Sequence, residues 1–484
     1  MVRRGAGTGA ALIALAAGIV APAAQATTLA DALVATYSGN PSLTGARAQL
    51  RATDEQSAIA RAAGRPTVGA SASYTQGLQG LRQIQTYNRF LSAGVQVNVP
   101  IYQGGRVRNA VHADDARVDS GRQSLRATEG DVLVSAVTAY MDVLRDRAIV
   151  QLDINNIKVL QTNLDATNDQ FAAGSLTRTD VAQSRARLED GQAQLTTARS
   201  NLVGSEENYR RVVGSRADVL DQPPPLPVLP DTPDRAEDTA IGNNPDIASA
   251  IASVKAAHYD TETARSSRMP TLSGTVGNSY TRDTDAGGAL PGFDLHGDAT
   301  QAGLTLSVPL YQGGLPSAEI RQEQAFESAA IESETATERQ VVANVRAAFS
   351  SYEAAVEVIR SSQEALKANT LALEGVRAEQ GAGLRQVLDT LNAEQEKLGS
   401  EVSLVTAQHD AYVAGFSLLN AMGLVDYKHL GLTGGALYDP TMSYRRSIHA
   451  ISDWSEEPAP KPIARPTYGP PLAAENPPVT PAAN

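Results

Sequence analysis

Cysteine is absent from the 484 residues. That excludes disulfides, thiolate-bound metals, iron–sulfur clusters, a cysteine nucleophile and lipid attachment through an N-terminal cysteine. Aromatic residues are scarce, 5% of the chain with one Trp and six Phe, so compact cores filled by large rings are disfavoured while small-residue packing along helices stays open. Length alone would suggest domains of roughly 150 residues each, and the composition argues against that division. No apolar run reaches the roughly 18 residues of a spanning helix, and charged residues make up 19% of the chain, so it is not a helical membrane protein. Positive charge is in deficit, 41 Lys and Arg against 53 Asp and Glu for a net charge of −12, which speaks against nucleic acid as a partner.

Recognisable catalytic signatures are missing too. His112, His258, His296, His409, His429 and His449 are scattered without a ligand spacing, so they read as solvated or packed single side chains and no metal is indicated. There is no phosphate loop, and Gly381-Ala382-Gly383 lacks the third glycine and preceding strand of a dinucleotide fingerprint. No catalytic carboxylate pair stands out. The expectation is no enzyme and no cofactor, with any energy for work supplied by a partner.

What is present begins with an export signal. Arg3 and Arg4 precede an apolar run from Ala10 to Val20, followed by Pro22 and Ala24-Gln25-Ala26. Residues 1–26 read as a secretory signal peptide, cut after Ala26. An acidic, exported chain without cysteine fits a bacterial envelope.

The remainder is written twice. Asn40-Pro41 recurs as Asn244-Pro245, and Arg65-Pro66-Thr67 as Met269-Pro270-Thr271, at one common offset. VPIYQGG from Val99 recurs as VPLYQGG from Val308; Gly174 and Asp180 recur as Gly383 and Asp389; Val213-Gly214 recurs as Met422-Gly423, all at a second, slightly larger offset. A fixed spacing between landmarks means duplicated architecture. The extra residues fall in 282–300, a loop by its Gly, Pro and Asp content. The expected organisation is a first repeat over 27–222, a proline-rich linker over 223–233, a second repeat over 234–425, a closing segment over 426–457 and a proline-rich tail over 458–484, read as disordered or as a surface strap.

Each repeat holds two alternating segments. Leu91, Ala93, Val95, Val97, Val99 and Ile101 alternate with small or polar residues, as do Ala302, Leu304, Leu306, Val308 and Leu310, which is strand patterning. Strands are expected at about 67–78, 90–102, 271–282 and 300–311, each about the length that crosses a bilayer when tilted. A soluble antiparallel sheet lying on a helical layer is the plain alternative. In lipid, four strands are too few to close and an open edge is not tolerated, so several chains would have to pool them, three copies giving twelve.

The strands give way to proline-free stretches, from Ile101 to Gln222 and from Ser317 to Asp439, expected to be helical over about 106–214 and 317–423. Val342, Val345, Phe349, Tyr352, Val356, Ile359, Gln363, Leu366, Thr370 and Leu373 repeat at alternating spacings of three and four, a heptad seam. Each stretch is broken by a glycine turn, at Gly174 and at Gly383, and so doubles back as a helical hairpin. A helix from Arg106 to Gln170 would be about 98 Å long at about 1.5 Å per residue. Gly121, Gly130 and Gly191 permit small breaks. Taken alone, such a rod also suits a non-transporting coiled-coil scaffold of the envelope.

The combination resembles the TolC family of outer-membrane efflux proteins over nearly all of residues 28–425. The resemblance rests on the two VPxYQGG junctions (Pro100, Gly104 and Gly105; Pro309, Gly313 and Gly314), the paired Asn-Pro openings and the glycine-turn-aspartate motifs. It implies a mostly α protein with membrane β: a homotrimer with a 12-stranded outer-membrane barrel joined to a periplasmic α-barrel of twelve helices, with a belt formed by residues near 232–245 and after Val425. It also implies a periplasmic adaptor and an inner-membrane transporter of ABC, RND or MFS type as partners, for drug efflux or type I protein secretion. Finally, it implies a periplasmic end shut by links between hairpins. Asp180 and Arg385 match linking residues, and Asp389 matches a ring aspartate. Gln380 stands where a linking tyrosine is found in the family's best-known member, and Asn392 where that member's second ring aspartate lies. Without the resemblance, Arg385 and Asp389 read as an ordinary i,i+4 surface pair.

Overall fold

A computed structural model describes residues 26–76, 89–283, 296–433, 435 and 437–464. The export signal, apart from its last residue, and most of the tail lie outside the described residues, as does most of the segment read as the 282–300 loop.

The first helix of the described residues is α1 (Leu29–Gly39), where Thr28 and Asp31 form a reciprocal capping box. Asn40 then caps α2 (Pro41–Ala62): its Oδ1 accepts from Ser42 N at 2.9 Å, and Pro41 occupies the first turn, where no amide donor is needed. The same side chain has a second use. Asn40 Nδ2 donates to Val212 O at 2.9 Å, and its copy Asn244 Nδ2 donates to Ala421 O at 2.9 Å. Each Asn-Pro landmark therefore starts one helix and satisfies a carbonyl at the end of another.

The long helices follow the strand pairs. They are α3 (Arg106–Ala172) and α4 (Arg178–Val213) in the first repeat; α5 (Pro233–Asn243) and α6 (Pro245–Arg265) open the second. At 67 residues, α3 is about 100 Å long at about 1.5 Å per residue. The helix is continuous through Gly121 and Gly130, and α4 through Gly191, so the breaks these glycines permit do not occur. They are sites of close approach instead: a Cβ at Gly130 would collide with Asn420 Oδ1, and one at Gly191 would lie 2.9 Å from Leu160 Cδ1.

The sheet is a single antiparallel layer of β1 (Thr67–Gln76), β2 (Arg89–Tyr102), β3 (Thr271–Asp283) and β4 (His296–Ser307), paired in sequence order. The fourth strand begins and ends earlier than the expected 300–311, and strand structure enters both ends of the segment read as a loop. The physical reason lies in pairing. The end of β2 is held by β3 through Tyr102 opposite Leu272, whereas β3 stops opposite Ser307 and offers no ladder partner to Val308 and Leu310. The second repeat continues with α7 (Leu315–Gly381), its start two residues earlier than expected because Pro316 sits in the first turn, and α8 (Val387–Ala421). A short α9 (Thr441–His449) packs along α2.

The main core lies midway along the rods, where Leu133, Val137 and Tyr140 of α3, Tyr209 of α4, Val345 of α7 and Leu418 of α8 meet. α1 and α5 also contribute there. Away from that level the heptad seam of α7 is only partly covered. Val345, Phe349 and Leu373 are buried, Tyr352, Ile359 and Leu366 half-buried, and Val356 and Gln363 exposed.

Candidate functional site

Two regions are candidates for function, the sheet and the hairpin tips, and the Gly-Gly junctions join the sheet to the rods. Gly104 and Gly105 have φ of 62° and 88°, and their copies Gly313 and Gly314 have 63° and 86°. Gly105 and Gly314 are the N-caps of α3 and α7. Left-handed backbone favours glycine, and a Cβ on Gly104 would also collide with Met269.

Strand register sorts the sheet's two faces. Val68, Ala70 and Ala72 stand opposite Val97, Val95 and Ala93, and Val97 in turn opposite Val276. With Leu304 and Leu306 on β4 they make one face apolar. Alternate positions, among them Ser71, Ser73, Gln96, Asn98, Thr275 and Gln301, make the other face polar. Both faces are open in the single chain: Val68 is 70% and Leu304 73% exposed. A soluble sheet resting on a helical layer is therefore not what these strands form. The outer edges of β1 and β4 pair with nothing among the described residues.

At the opposite end, the α3–α4 and α7–α8 turns are copies of one another. Gly174 has φ of 79° and Gly383 of 78°. Ser175 N donates to Gln170 O at 3.0 Å, and Leu384 N to Glu379 O at 2.9 Å, the hydrogen bond that ends a helix on a left-handed residue. The motif aspartates come next as capping groups. Asp180 Oδ2 accepts from Thr177 N at 2.8 Å and from Thr177 Oγ1 at 2.7 Å, and Asp389 Oδ2 accepts from Gln386 N at 3.2 Å. The Thr177 amide, then its hydroxyl, hold the Asp180 carboxyl below the ordinary aspartate range.

The other tip residues have partners within the chain. Arg385 Nε donates to Glu379 Oε2 at 2.8 Å, so its ion-pair partner is Glu379 rather than Asp389; the ordinary i,i+4 pairing does not form. Gln380 Oε1 accepts from Thr390 Oγ1 at 2.7 Å, joining α7 to α8. Asn392 Oδ1 accepts from Arg187 Nη2 at 2.8 Å, joining α8 to α4. Below them Leu160, Leu188, Val387 and Leu391 pack together.

Sequence reasoning missed two buried charge clusters. Glu394 of α8 is 5% exposed and accepts from Arg377 of α7 at 3.0 Å and Asn163 of α3 at 2.7 Å. His409, read as a solvated or packed single histidine, is 7% exposed between two carboxylates: Nδ1 lies 2.8 Å from Asp410 Oδ1, and Nε2 lies 3.0 Å from Asp142 Oδ1. Neither carries a sequence signal, because a Glu or His on a heptad helix looks the same whether it faces water or a neighbouring helix. Among the described residues no group of His, Asp and Glu is arranged to hold a metal.

Comparison with known proteins agrees with this architecture. The family described as outer membrane efflux protein matches residues 32–215 and 237–424, one match per repeat. The chain belongs to that family. Outer membrane efflux protein BepC of Brucella suis is 34% identical over 87% of this chain and 91% of its own length. Outer membrane protein TolC of Escherichia coli is 24% identical over 88% of this chain and 90% of its own. In fold, the outer membrane protein VceC of Vibrio cholerae superposes with a TM-score of 0.70 at 20% identity, covering 82% of this chain and 96% of that one. The chain is thus an outer-membrane exit duct whose helical part lies in the periplasm, and the scaffold alternative falls. As an efflux-family member it is a transport channel, and the absence of catalytic signatures in the sequence is consistent with that.

Proposed function

We propose that three copies of this chain close one duct, with twelve strands forming a barrel in the outer membrane and twelve long helices forming a periplasmic tube. The observation that carries this reading is the open four-stranded sheet, apolar on one face and polar on the other, with two edges that are unpaired among the described residues. Unpaired backbone in hydrocarbon costs several kcal/mol per group, and pairing β4 of one copy with β1 of the next removes both edges at once. The apolar face then meets lipid and the polar face lines the bore. Val308 and Leu310, left without a ladder in one chain, gain one from the neighbour.

The hairpin tips form the closable entrance. Asp180 Oδ1 and the terminal amines of Arg385 are left over after the contacts within the chain, and they link neighbouring hairpins across the entrance. Three copies of Asp389 narrow the axis and bias it toward cations. Exposed links of this kind are worth about 0 to 1 kcal/mol each. A periplasmic adaptor and an inner-membrane transporter can therefore pull the end open with a modest difference in affinity between the closed and open forms. Such tripartite pumps and secretion systems are the setting in which TolC-type channels work, and ABC, RND and MFS transporters are the classes this chain would serve.

The test is assembly and conductance. Protein extracted from outer membranes should run as a detergent-stable trimer that dissociates on heating, and should conduct in planar bilayers. A membrane-bound monomer without conductance would reject the shared barrel.

A further inference from the structure

The only tryptophan in the chain, Trp454, is 94% exposed, although indole is among the side chains most strongly drawn out of bulk water. Its surroundings place it. α9 packs against α2 and α3: Tyr444 Oη donates to Asp115 Oδ1 of α3 at 2.8 Å, and Ser447 Oγ donates to Glu55 Oε1 of α2. Beyond α9, Arg65 takes hold of the chain, donating from Nη1 to Ala450 O at 2.9 Å and from Nη2 to Ile448 O at 3.3 Å. Arg65 directly precedes Pro66 and the first residue of β1, so it marks the periplasmic foot of the lipid-facing strands. From Ala450 the chain reaches Trp454 within about 14 Å even if fully extended. A turn at Ser452, whose Oγ accepts from Trp454 N at 3.3 Å, keeps it closer.

We infer that this C-terminal strap lies at the boundary between the periplasm and the inner leaflet of the outer membrane, with Trp454 and the exposed Ile451 inserted among phospholipid headgroups. Three features support a lipid occupant. The strap is held by Arg65 at the foot of the sheet, and Ile101, Tyr102 and Met269 at the strand ends are exposed too. Tryptophan, with an apolar ring and one N–H donor, favours the membrane–water interface. The charges around it are mixed, with Arg446 paired to Glu457 and with Asp453 and Glu456 nearby in sequence. That suits a zwitterionic surface better than electrostatic capture of anionic lipid. The inference depends on the membrane position of the sheet and adds a second, non-barrel contact with the same bilayer.

Because Trp454 is the sole tryptophan, its fluorescence reports this site alone. Full-length protein reconstituted in phosphatidylcholine vesicles should show blue-shifted emission and lose most of it when the lipid is replaced by dibrominated phosphatidylcholine. Emission that stays water-like, resists bromolipid and is quenched by aqueous iodide would overturn the inference. So would blue-shifted emission that neither quencher reaches, which would mean that a second copy of the chain covers the strap. Co-flotation with the vesicles separates a protein that failed to insert from a strap that does not reach lipid. Arg65→Gln should release the strap and abolish bromolipid quenching while the detergent-stable assembly persists; quenching equal to the parent's would remove Arg65 as the anchor.

Discussion

Arg377 of α7 donates to Glu394 of α8 at 3.0 Å, with the arginine side chain half exposed and the glutamate side chain only 4% exposed. The carboxylate is thus shielded by helices while its counter-charge remains at the surface. Asn163 of α3 is its other donor, so three helices meet on one buried carboxylate just behind the tip. Arg377→Ala should leave that carboxylate with a single donor and cost about 1 to 3 kcal/mol, the penalty of an under-satisfied buried polar group. The double variant Arg377→Ala/Glu394→Ala should recover part of the loss, because no orphaned charge remains. Denaturant unfolding of the detergent-solubilised protein measures both. Strictly additive losses would mean the pair is not coupled.

The repeats, strand periodicity, glycine turns and rods were legible in the sequence because each has a local signature: a fixed offset, alternation, a left-handed residue, a proline-free run. The Asn-Pro landmarks were visible as repeats but not in their role, since the bonds from Asn40 to Val212 O and from Asn244 to Ala421 O join residues far apart in the chain. The same holds for Gly130, which reads locally as a weak point in a helix and serves as a notch for Asn420. Burial of Glu394 and His409 depends on which neighbouring helix covers them, and no periodicity of their own helix records that. The pairing of Arg385 with Glu379 was missed because the turn brings the two together across a spacing that no helix would.

At the tips, Asp180 caps α4 and is also the residue proposed to link neighbouring hairpins, so a test must separate the two roles. Asp180→Ala and Arg385→Ser should both weaken closure and raise single-channel conductance of the reconstituted duct. Thr177→Val removes only the reciprocal cap, worth about 0.5 to 2 kcal/mol, and should lower stability while leaving conductance near the parent value. If Thr177→Val raised conductance as much as Asp180→Ala, loss of the helix cap and not of a link would explain the opening.

Asp389 is the carboxylate expected to repeat around the axis, and Asn392 supplies no second ring. Asp389→Asn should therefore reduce cation preference substantially, since no neighbouring acidic ring remains to compensate. Reversal potentials in a salt gradient report this directly. Identical values for parent and variant would place the selectivity elsewhere in the bore.

His409 provides a pH signature for the rods themselves. Burial favours loss of the imidazolium proton, but Asp142 and Asp410 outweigh it and hold the pKa above the ordinary histidine value, even against nearby Arg145. Asp142 is shifted the other way: burial would raise its pKa, yet His409 and Arg145 together hold it below the ordinary carboxylate range. Arg145 is itself paired with Asp146, which accepts from Ser205 of α4. A raised histidine pKa stabilises the fold fully below the unfolded value of about 6.5 and loses that contribution as pH climbs through the folded value. A lowered aspartate pKa stabilises above the unfolded value of about 3.9 and fails as pH falls through the folded one. The clasp between α3 and α8 is therefore strongest at about pH 4 to 6.5, between the two unfolded values. His409→Gln should lower the thermal midpoint most in that window, and the gap between variant and parent should shrink steadily as the solution becomes alkaline. A gap that stays constant from mildly acidic to alkaline pH would mean that His409 acts through its shape and not through its charge.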